Sequence, residues 1–377
     1  MKIVHIISNL GLGGAETSLF RLVRASTPLN IQHTIIAMKS GGIYANRLRQ
    51  LGAGVIELNL NPTLAGALRL PGLARALRDL QPDVIQGWMY HGNVAASLGQ
   101  ALVARPAKVC WNVRQTSSRL RDDKLLTQSF ILSGVPLSRF CSTIIYNSAT
   151  AARQHEAYGY ARAKRQIIDN GIDCDEFKPN PEGHRRLCAL LRLPDSARLI
   201  GRVGRKARMK DHRSMLEAFA ALARDPACNL VLAGPGMRET DAELAHWARL
   251  SGAPERVHFL GSCADIASLM PGFDVNVSSS ATSEGFPNVV AEGMACGVPT
   301  IATDVGESRA ILGDASRIVQ PGDPTALASC ISAVLAMPRA QGLAIGQRDR
   351  DRTLQRFSIA ATVHHYVDTW SADAALA

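Results

Sequence analysis

The sequence predicts an α/β protein with two doubly wound parallel-sheet domains. Short β-branched runs alternate with amphipathic helical stretches along the chain; Lys2–Ser8, for example, is followed by Glu16–Ser26. Strand, helix and strand in succession favour parallel strands with helices on both faces of a sheet. The 377 residues exceed what one ordinary core accommodates, and six such units fall in each half. We therefore expect two domains rather than one barrel.

The individual elements follow from the same patterns. Strands are predicted at Lys2–Ser8, Gln32–Met38, Gly54–Leu58, Asp83–Gly87, Lys108–Val113 and Thr143–Asn147, and then at Arg198–Val203, Asn229–Ala233, Arg256–Leu260, Asp274–Ser278, Val298–Ala302 and Ser316–Val319. Helical periodicity is clearest in Glu16–Ser26, His212–Arg224, Glu239–Leu250 and Ile359–Trp370. The turn-rich run Asp169–Asp173, followed by Pro179 and Pro181, marks a boundary between domains over 1–172 and 173–356.

Composition excludes several classes of protein. With 46% hydrophobic and 20% charged residues, the chain is not disordered. No apolar run approaches the roughly 18 to 20 residues of a membrane span, and the stretch Met1–Asn9 is too short for a signal peptide, so a cytoplasmic location is expected. The eight cysteines show no C-x-x-C spacing. They favour reduced, packed thiols over a zinc site or a disulfide framework.

The net charge of +10 lies entirely in the first half. Residues 1–175 hold 20 Lys+Arg against 10 Asp+Glu, whereas the remainder is neutral. Two interpretations are open, a polyanionic partner such as a membrane surface or a phosphate-bearing substrate, and a generally basic surface. Arg114, Arg119, Arg121 and Lys124 precede the apolar stretch Leu125–Leu132. That segment fits either a peripheral contact with anionic lipid at the inner face of the cytoplasmic membrane or an ordinary helix with a basic outer face.

The first loop, Gly11–Glu16, superficially matches a dinucleotide fingerprint. Glu16 stands where the third glycine is needed, and no acidic residue ends the second strand, so a nicotinamide site is disfavoured. Gly13 and Gly14 nevertheless lead into a helix start with little side-chain bulk. That arrangement lets a ligand oxygen or phosphate approach the backbone closely.

The most informative stretch is Ser283–Glu292. Pro287 suits the first turn of a helix, whose unpaired amides are donors for hydroxyls or a diphosphate. Glu284 precedes that helix and Glu292 lies eight residues on, up to about 12 Å along a helical rise. Two carboxylates so spaced are suited to gripping opposite ends of an elongated, hydroxyl-rich ligand.

A basic loop follows the strand that ends at Val203. Arg205 and Lys210 flank this loop at the carboxyl end of the strand, where open α/β sheets bind ligands. An arginine fork and a lysine point charge match a diphosphate, and one preorganised donor is worth around 3 kcal/mol in a transition state. Lys206 and Arg208 are interpreted as solvated side chains.

At these segments the sequence resembles the retaining GT-B glycosyltransferases of family GT4. Glu284 and Glu292 resemble that family's E-x7-E motif in its E-G-F-P form, and Gly204-Arg205 with Lys210 resembles its G-R-x4-K diphosphate clamp. Three further segments resemble motifs of the family, in the expected order along the chain. Gly13–Glu16 resembles the first-loop G-G-x-E, and Trp88–His91 resembles the loop with the active-site histidine. Asn170–Asp173 resembles the interdomain N-G-[IV]-D strand, although Asp169 replaces the usual proline before it.

The resemblance implies an architecture and residue roles. Two Rossmann-like domains would face a cleft, with the last helix, over 357–377, returning to the N-terminal acceptor-side domain, and the second domain would bind a nucleotide-sugar donor. Arg205 and Lys210 would bind the diphosphate, and Glu292 the ribose. Glu284 would lie by the donor sugar and His91 on its acceptor side; these two, with Arg205 and Lys210, form the expected catalytic set. The other donor-binding residues implied are Gly13, Gly14, Gly285, Phe286 and Asn288, the last three through their amides.

The expected reaction moves a sugar, with retention, from a nucleotide-diphosphate donor to a glycan or lipid-linked acceptor in cell-surface polysaccharide or lipopolysaccharide synthesis. UDP is the commonest such nucleotide. No metal or other cofactor is expected, because Arg205 and Lys210 supply positive charge. The D-x-D patterns at Asp173–Asp175 and Asp349–Asp351 fall in the interdomain strand and in an arginine-rich helical run.

Three alternatives remain open. A nucleotide-sugar epimerase of the same architecture would convert the donor alone. A glycogen-type synthase or phosphorylase is less favoured, because the latter needs a pyridoxal lysine that we do not identify. A nucleic-acid-binding protein would use the basic half, but aromatic residues make up only 5% of the chain, and no nucleic-acid partner is expected.

Overall fold

The computed structural model describes residues 1–11, 13–59, 70–116, 120, 124–263, 265–282 and 284–372. The chain forms two compact units, Met1–Gly171 with Ile359–Ala377 (the N-terminal unit) and Ile172–Ser358 (the second unit). The boundary predicted after residue 172 lies after Gly171 in the structure, and the boundary predicted after residue 356 lies after Ser358.

The N-terminal unit is built on a seven-stranded parallel sheet in the order β3-β2-β1-β4-β5-β6-β7. Its strands are β1 (Lys2–Ile7), β2 (Gln32–Ala37), β3 (Gly54–Glu57), β4 (Val84–Gly87), β5 (Lys108–Val113), β6 (Thr143–Tyr146) and β7 (Arg165–Ile167). The apolar patterns predict the first six. They miss β7 because that edge strand has three residues, all exposed, and so carries no burial pattern.

Helices flank this sheet between successive strands. They are α1 (Gly14–Ser26), α2 (Ile43–Gln50), α3 (Leu70–Leu80), α4 (Met89–Ala101), α5 (Leu125–Leu137), α6 (Ala149–Ala157) and the C-terminal helix (Ile359–Ser371). The C-terminal helix buries Val363, Tyr366 and Trp370 in the core of this unit. Trp370 Nε1 donates to Gln86 Oε1 at 3.0 Å, and Asn112 Nδ2 donates to the Tyr366 hydroxyl at 2.6 Å. The predicted return of the last helix is confirmed.

A chain of hydrogen bonds crosses the buried interior of the N-terminal unit. Trp88 Nε1 donates to His5 Nδ1 at 3.1 Å, His5 Nε2 lies 3.0 Å from His33 Nδ1, and His33 Nε2 lies 2.9 Å from Ser26 Oγ, which donates to the Leu22 carbonyl. Because the indole can only donate, both rings are neutral and carry their proton on Nε2. Burial lowers the pKa of His5 well below its ordinary value, as does the His33 ring, and burial lowers the pKa of His33 to about 4.

The second unit is built on a six-stranded parallel sheet in the order β10-β9-β8-β11-β12-β13, and its strands are those predicted. The strands are β8 (Arg198–Val203), β9 (Cys228–Ala233), β10 (Val257–Gly261), β11 (Val275–Ser278), β12 (Thr300–Thr303) and β13 (Ile318–Val319). The helices are α7 (Gly183–Leu191), α8 (His212–Leu222), α9 (Ala242–Leu250), α10 (Ile266–Leu269), α11 (Asn288–Ala295), α12 (Ser308–Leu312), α13 (Pro324–Leu335) and α14 (Arg339–Arg356). Two doubly wound parallel sheets confirm the predicted fold class.

Both faces of the second sheet are covered by apolar layers. On β9, Leu230 and Leu232 pack with α8 and α13, whereas Val231 packs in the opposite cluster with α11. This alternation follows from the two-residue period of a strand and explains the apolar run Leu230–Ala233 of β9.

All eight cysteines are free thiols, and six of them are buried. Within the described residues, no single helix combines the length and the apolar character needed to cross a membrane. The bent pair Pro324–Leu335 and Arg339–Arg356 meets that criterion by length and composition alone.

Candidate active site

The order of the strands places a topological switch point in the second unit between β8 and β11. Strands β9 and β10 extend from one side of β8, and β12 and β13 extend from the far side of β11. Loops leaving the carboxyl ends of β8 and β11 therefore diverge and leave room for a ligand between them. These loops, 204–211 and 279–287, carry Glu284 and four of the eight predicted donor-binding residues, namely Arg205, Lys210, Gly285 and Phe286.

Lys210 and Glu284 meet at this switch point. Lys210 Nζ donates to Glu284 Oε1, and Ser280 Oγ donates to the same oxygen at 2.8 Å. The side chains of the pair are 16% and 10% exposed, so the ion pair is largely withdrawn from water. Burial lowers the pKa of Lys210, and the nearby positive charges of Arg202 and Arg205 lower it further, whereas Glu284 opposes this shift.

Arg205 lies at the start of the same loop and is exposed. Its guanidinium donates to Met209 Sδ at 3.6 Å. Lys206, interpreted as solvated from the sequence, is instead anchored, because its Nζ lies 2.6 Å from Asp241 and 2.9 Å from Glu243. The structure thus leaves Arg205 available to a ligand and commits Lys206 to a structural ion pair.

The sequence patterns miss Arg202, which lies beneath this loop on β8. Its side chain is fully buried. Nε donates to Ser279 Oγ at 3.0 Å, Nη1 to the Val203 carbonyl at 2.6 Å and Nη2 to the Lys210 carbonyl at 2.6 Å. Burial lowers the pKa of Arg202 to about 10, so the guanidinium stays charged at neutral pH. A lone charged residue within an apolar strand pattern is the signal that reveals it.

Two further residues hold the first part of the loop. His212 is buried at the start of α8, and its Nε2 donates to the Arg205 carbonyl at 3.0 Å. Burial lowers the pKa of His212 to about 4, helped by the charge of Arg202. Gly234 has φ +138°, and a side chain there would collide with the Gly204 carbonyl. The Gly-Pro-Gly run after β9 is the sequence signal for this close approach.

The second predicted carboxylate, Glu292, lies on helix α11 and is buried. The helix begins at Asn288, so Pro287 occupies the capping position before it rather than the first turn. Gly285 and Phe286 form the turn that leads into the helix, and the Phe286 ring packs edge-on against Phe357 in the core. Any contact of Phe286 with a ligand is therefore limited to its backbone.

The predicted residues of the N-terminal unit lie at the switch point of its own sheet, between β1 and β4. Gly13 is extended, with φ −163°, and Gly14 begins helix α1; neither needs a positive φ. A side chain on Gly13 would collide with the Glu16 carboxylate, whereas the space beside Gly14 is open. This arrangement is consistent with close approach of a ligand at Gly14.

His91 lies in the first turn of helix α4 rather than in a loop as expected. The chain turns sharply out of β4, with Met89 at φ +59°, and the helix starts immediately. The His91 ring packs against Phe130 with centroids 4.1 Å apart. Burial lowers its pKa, as does the charge of Lys39, so the ring is neutral at neutral pH.

The two D-x-D patterns have structural partners. Asp349 is buried in a two-pronged ion pair with Arg317, at 2.5 and 2.8 Å. Asp173 Oδ1 accepts the amides of Asp175 and Glu176 and so closes a turn.

The basic segment before helix α5 is only partly described. Arg114 belongs to the unit's interior, where its guanidinium stacks on Trp88 at 5.5 Å and donates to the Tyr366 hydroxyl at 2.9 Å. Arg119 and Arg121 lie outside the described residues. Lys124 is exposed and precedes the helix directly.

Comparison with known proteins agrees with this arrangement. The family model described as glycosyl transferases group 1 matches residues 197–337, and the model of glycosyltransferase family 4 matches residues 12–176. EpsD of Bacillus subtilis, assigned as a glycosyltransferase, is 37% identical over 166 residues, which are 43% of this chain and 42% of EpsD. EpsF of the same organism, assigned likewise, is 24% identical over 309 residues, 80% of this chain and 79% of EpsF.

The structure of HepE from Anabaena in complex with UDP superposes with a TM-score of 0.86 at 22% identity. The alignment covers 98% of this chain and 100% of HepE. Taken together, the family models, the two parallel sheets and these relatives identify the chain as a GT4-like, group 1 glycosyltransferase with the GT-B fold. The resemblance drawn from the sequence motifs is confirmed for family, fold and enzyme class.

Proposed function

We propose that the chain transfers a sugar from a UDP-sugar donor to a glycan or lipid-linked acceptor, with retention at the anomeric carbon and without a metal ion. The contact between Lys210 and Glu284 at the switch point carries this proposal. It places a cation suited to a diphosphate directly beside a buried carboxylate suited to sugar hydroxyls. Arg205 enters from the same loop and adds a second cation, with a fork geometry matched to phosphate oxygens.

The chemistry follows from these groups. In the transfer, the bond between the anomeric carbon and the diphosphate oxygen breaks, and negative charge grows on the departing diphosphate. Arg205 and Lys210 stabilise that charge in place of a divalent ion. The acceptor hydroxyl attacks from the face that the diphosphate leaves, a new carbon–oxygen bond forms, and the hydroxyl proton passes to a diphosphate oxygen. Retention follows from attack on that face.

The choice of UDP rests on structural neighbours. HepE was solved with UDP and with UDP-glucose, and these structures superpose with TM-scores of 0.86 and 0.85. Under this proposal Glu292 bonds the ribose, and Gly285, Phe286 and Asn288 offer amides to the sugar. Gly13, Gly14 and His91 of the N-terminal unit keep the roles that the family resemblance implies.

A calorimetric titration tests the donor site. UDP, UDP-glucose and the guanosine and thymidine analogues are titrated into the protein, with and without EDTA. We expect binding of the uridine compounds, unchanged by EDTA, and a loss of about tenfold or more in Lys210→Ala. Arg208→Gln, which removes an exposed cation from the same loop, is the matched control and should bind normally. Binding that vanishes with EDTA would overturn the metal-free mechanism.

Product analysis tests the stereochemistry. A trapped product formed from an α-linked donor should show the α configuration by its anomeric proton coupling. A β-linked product would refute retention and leave the donor site intact.

The acceptor side of the proposal concerns an anionic membrane surface. Helix α5 exposes Leu125 at 83%, Leu126 at 46% and Leu132 at 51%, and the exposed Lys124 precedes it. Exposed apolar side chains next to cations suit the interface of an anionic bilayer, and all of the surplus positive charge lies in residues 1–175. We accordingly place the enzyme at the inner face of the cytoplasmic membrane, in synthesis of cell-surface polysaccharide or lipopolysaccharide.

Liposome flotation tests this placement. The protein should float with vesicles containing phosphatidylglycerol and remain at the bottom with neutral vesicles, and Leu125→Ser with Leu132→Ser should abolish flotation. Leu250→Ser, an equally exposed leucine of the second unit, is the control. Equal recovery with neutral and anionic vesicles would remove the membrane from the proposal.

A further inference from the structure

The buried Arg202 is not accounted for by packing. A charged side chain taken fully out of water is expensive unless every contact is strong, and apolar replacements for buried ion pairs are often neutral or stabilising. The neighbouring β8 residues Leu199 and Ile200 fill their positions with aliphatic side chains. The charge at position 202 therefore points to a role beyond filling space.

Its contacts tie the loop 204–211 to the end of β11. The guanidinium donates to the Lys210 carbonyl, near the end of that loop, and to Ser279, the residue that follows β11. Ser279 Oγ in turn lies 3.2 Å from the Lys210 carbonyl and 3.1 Å from that of Asp211. The backbone of Lys210 is thereby fixed from below by two groups.

The same loop is also fixed near both of its ends. At its start, His212 donates to the Arg205 carbonyl; at its end, Asp211, with φ +46°, caps helix α8 by accepting the Ser214 amide at 3.1 Å. Arg205 and Lys210 thus both stand on backbone that is hydrogen-bonded to buried groups. Glu284 and Asp211 are the acidic groups that face Arg202, and Lys210 is the neighbouring cation.

We propose that Arg202 is a positioning residue of the donor site, which holds the loop 204–211 in the conformation that presents Arg205 and Lys210 to a diphosphate. It also places a third positive charge beneath that diphosphate. The inference rests on the proposed function, because it assumes that the loop binds a diphosphate. It goes beyond that function in assigning a role to a residue that is sealed from the ligand.

The test compares ligands that differ only in the diphosphate. UDP, inorganic pyrophosphate and uridine are titrated into wild type, Arg202→Met and Arg202→Lys. Methionine keeps an unbranched apolar side chain, shorter than that of arginine, and removes the charge and the donors; lysine keeps the charge but removes the fork. We expect Arg202→Met to weaken the binding of UDP and pyrophosphate by about tenfold or more and the binding of uridine by less than about twofold. The affinities of Arg202→Lys for UDP and pyrophosphate should fall between those of the wild type and Arg202→Met.

Controls separate positioning from loss of fold. Arg198→Met changes an exposed arginine at the opposite end of the same strand and should leave all three affinities unchanged. Thermal unfolding of each variant reports stability, and if Arg202→Met does not fold, Arg202→Lys and Ser279→Ala supply the comparison.

The outcomes are distinct. If a folded Arg202→Met variant loses affinity for uridine and UDP equally, or for neither, the positioning role is overturned while the proposed function stands. If the wild type binds neither UDP nor pyrophosphate, the proposed function is wrong, and the positioning role is wrong with it.

Discussion

Replacing Glu284 by glutamine should strengthen the binding of UDP while weakening the recognition of the sugar. Lys210 is paired with Glu284, so a diphosphate must compete with this carboxylate for the ammonium. Glutamine keeps the volume and an acceptor oxygen for Ser280 but removes the charge. Lys210 then becomes available to phosphate oxygens without a rival.

The magnitude follows from the burial of the pair. With side chains 16% and 10% exposed, an effective dielectric constant of about 20 gives a gross attraction of about 4 kcal/mol at 4 Å. Desolvation offsets most of that attraction. We expect a net gain of about 1 kcal/mol for UDP, which corresponds to an affinity about fivefold higher. A UDP-sugar should lose its advantage over UDP, because a hydrogen bond to a charged acceptor is worth about 1.5 to 3 kcal/mol.

Calorimetric titration of UDP and UDP-glucose into the wild type and the Glu284→Gln variant measures both effects. Ser280→Ala is the matched control: it removes the neutral donor to the same carboxylate oxygen and leaves the ion pair, so the affinity for UDP should not rise. If Glu284→Gln is folded and binds UDP no more tightly than the wild type, the carboxylate does not compete for Lys210 and the reasoning is wrong.

Two further predictions concern buried titratable groups. His5 and His33 are neutral in the fold with lowered pKa values, so the unfolded chain takes up protons first as the pH falls below about 6.5. The stability of the N-terminal unit should therefore drop between pH 6.5 and about 4, by up to about 1.4 kcal/mol for each pH unit and each histidine. The slope of the denaturant midpoint against pH should be smaller in His33→Asn than in the wild type. An unchanged slope contradicts this prediction. Asp349→Asn removes the buried one of the two carboxylates paired with Arg317 and leaves the more exposed Asp314. It should destabilise the second unit by about 2 kcal/mol in urea unfolding, with UDP affinity retained at temperatures where the variant is folded. A change below about 1 kcal/mol would show that the buried pair is dispensable.

The sheets could be predicted from the sequence because their strands are buried on both faces. The run Leu230–Ala233 is apolar throughout, as expected for a strand with helices on both faces of its sheet. The edge strand β7 has no buried face and therefore no pattern. Local hydrogen bonding also escapes prediction at single residues. Pro287 suits a first helical position equally well by its φ, but the structure uses it as the residue before the helix.

The residues of the candidate donor site could be predicted where a motif and a strand end coincide. Arg205, Lys210 and Glu284 all lie in loops that leave the carboxyl ends of β8 and β11, and the structure brings Lys210 and Glu284 into contact. His91 shows the limit of such reasoning. A tight turn through a left-handed Met89 turns a predicted loop into the first turn of a helix, and one unusual φ angle has no periodic signature.

Arg202 and Arg205 show why a motif gives only the outer layer of a site. Sequence reasoning favours cations in loops, where a ligand can reach them, and assigns a residue within a strand to the core. Arg205 satisfies the first rule, and Arg202, three residues earlier, lies where the second rule assigns a core residue. Yet a guanidinium that stays charged with no exposed surface must be held by its own acceptors, and those acceptors include the backbone of Lys210. The proposed binding and positioning roles are thus divided between an exposed and a buried arginine, and the buried one is recognised only when its partners are known.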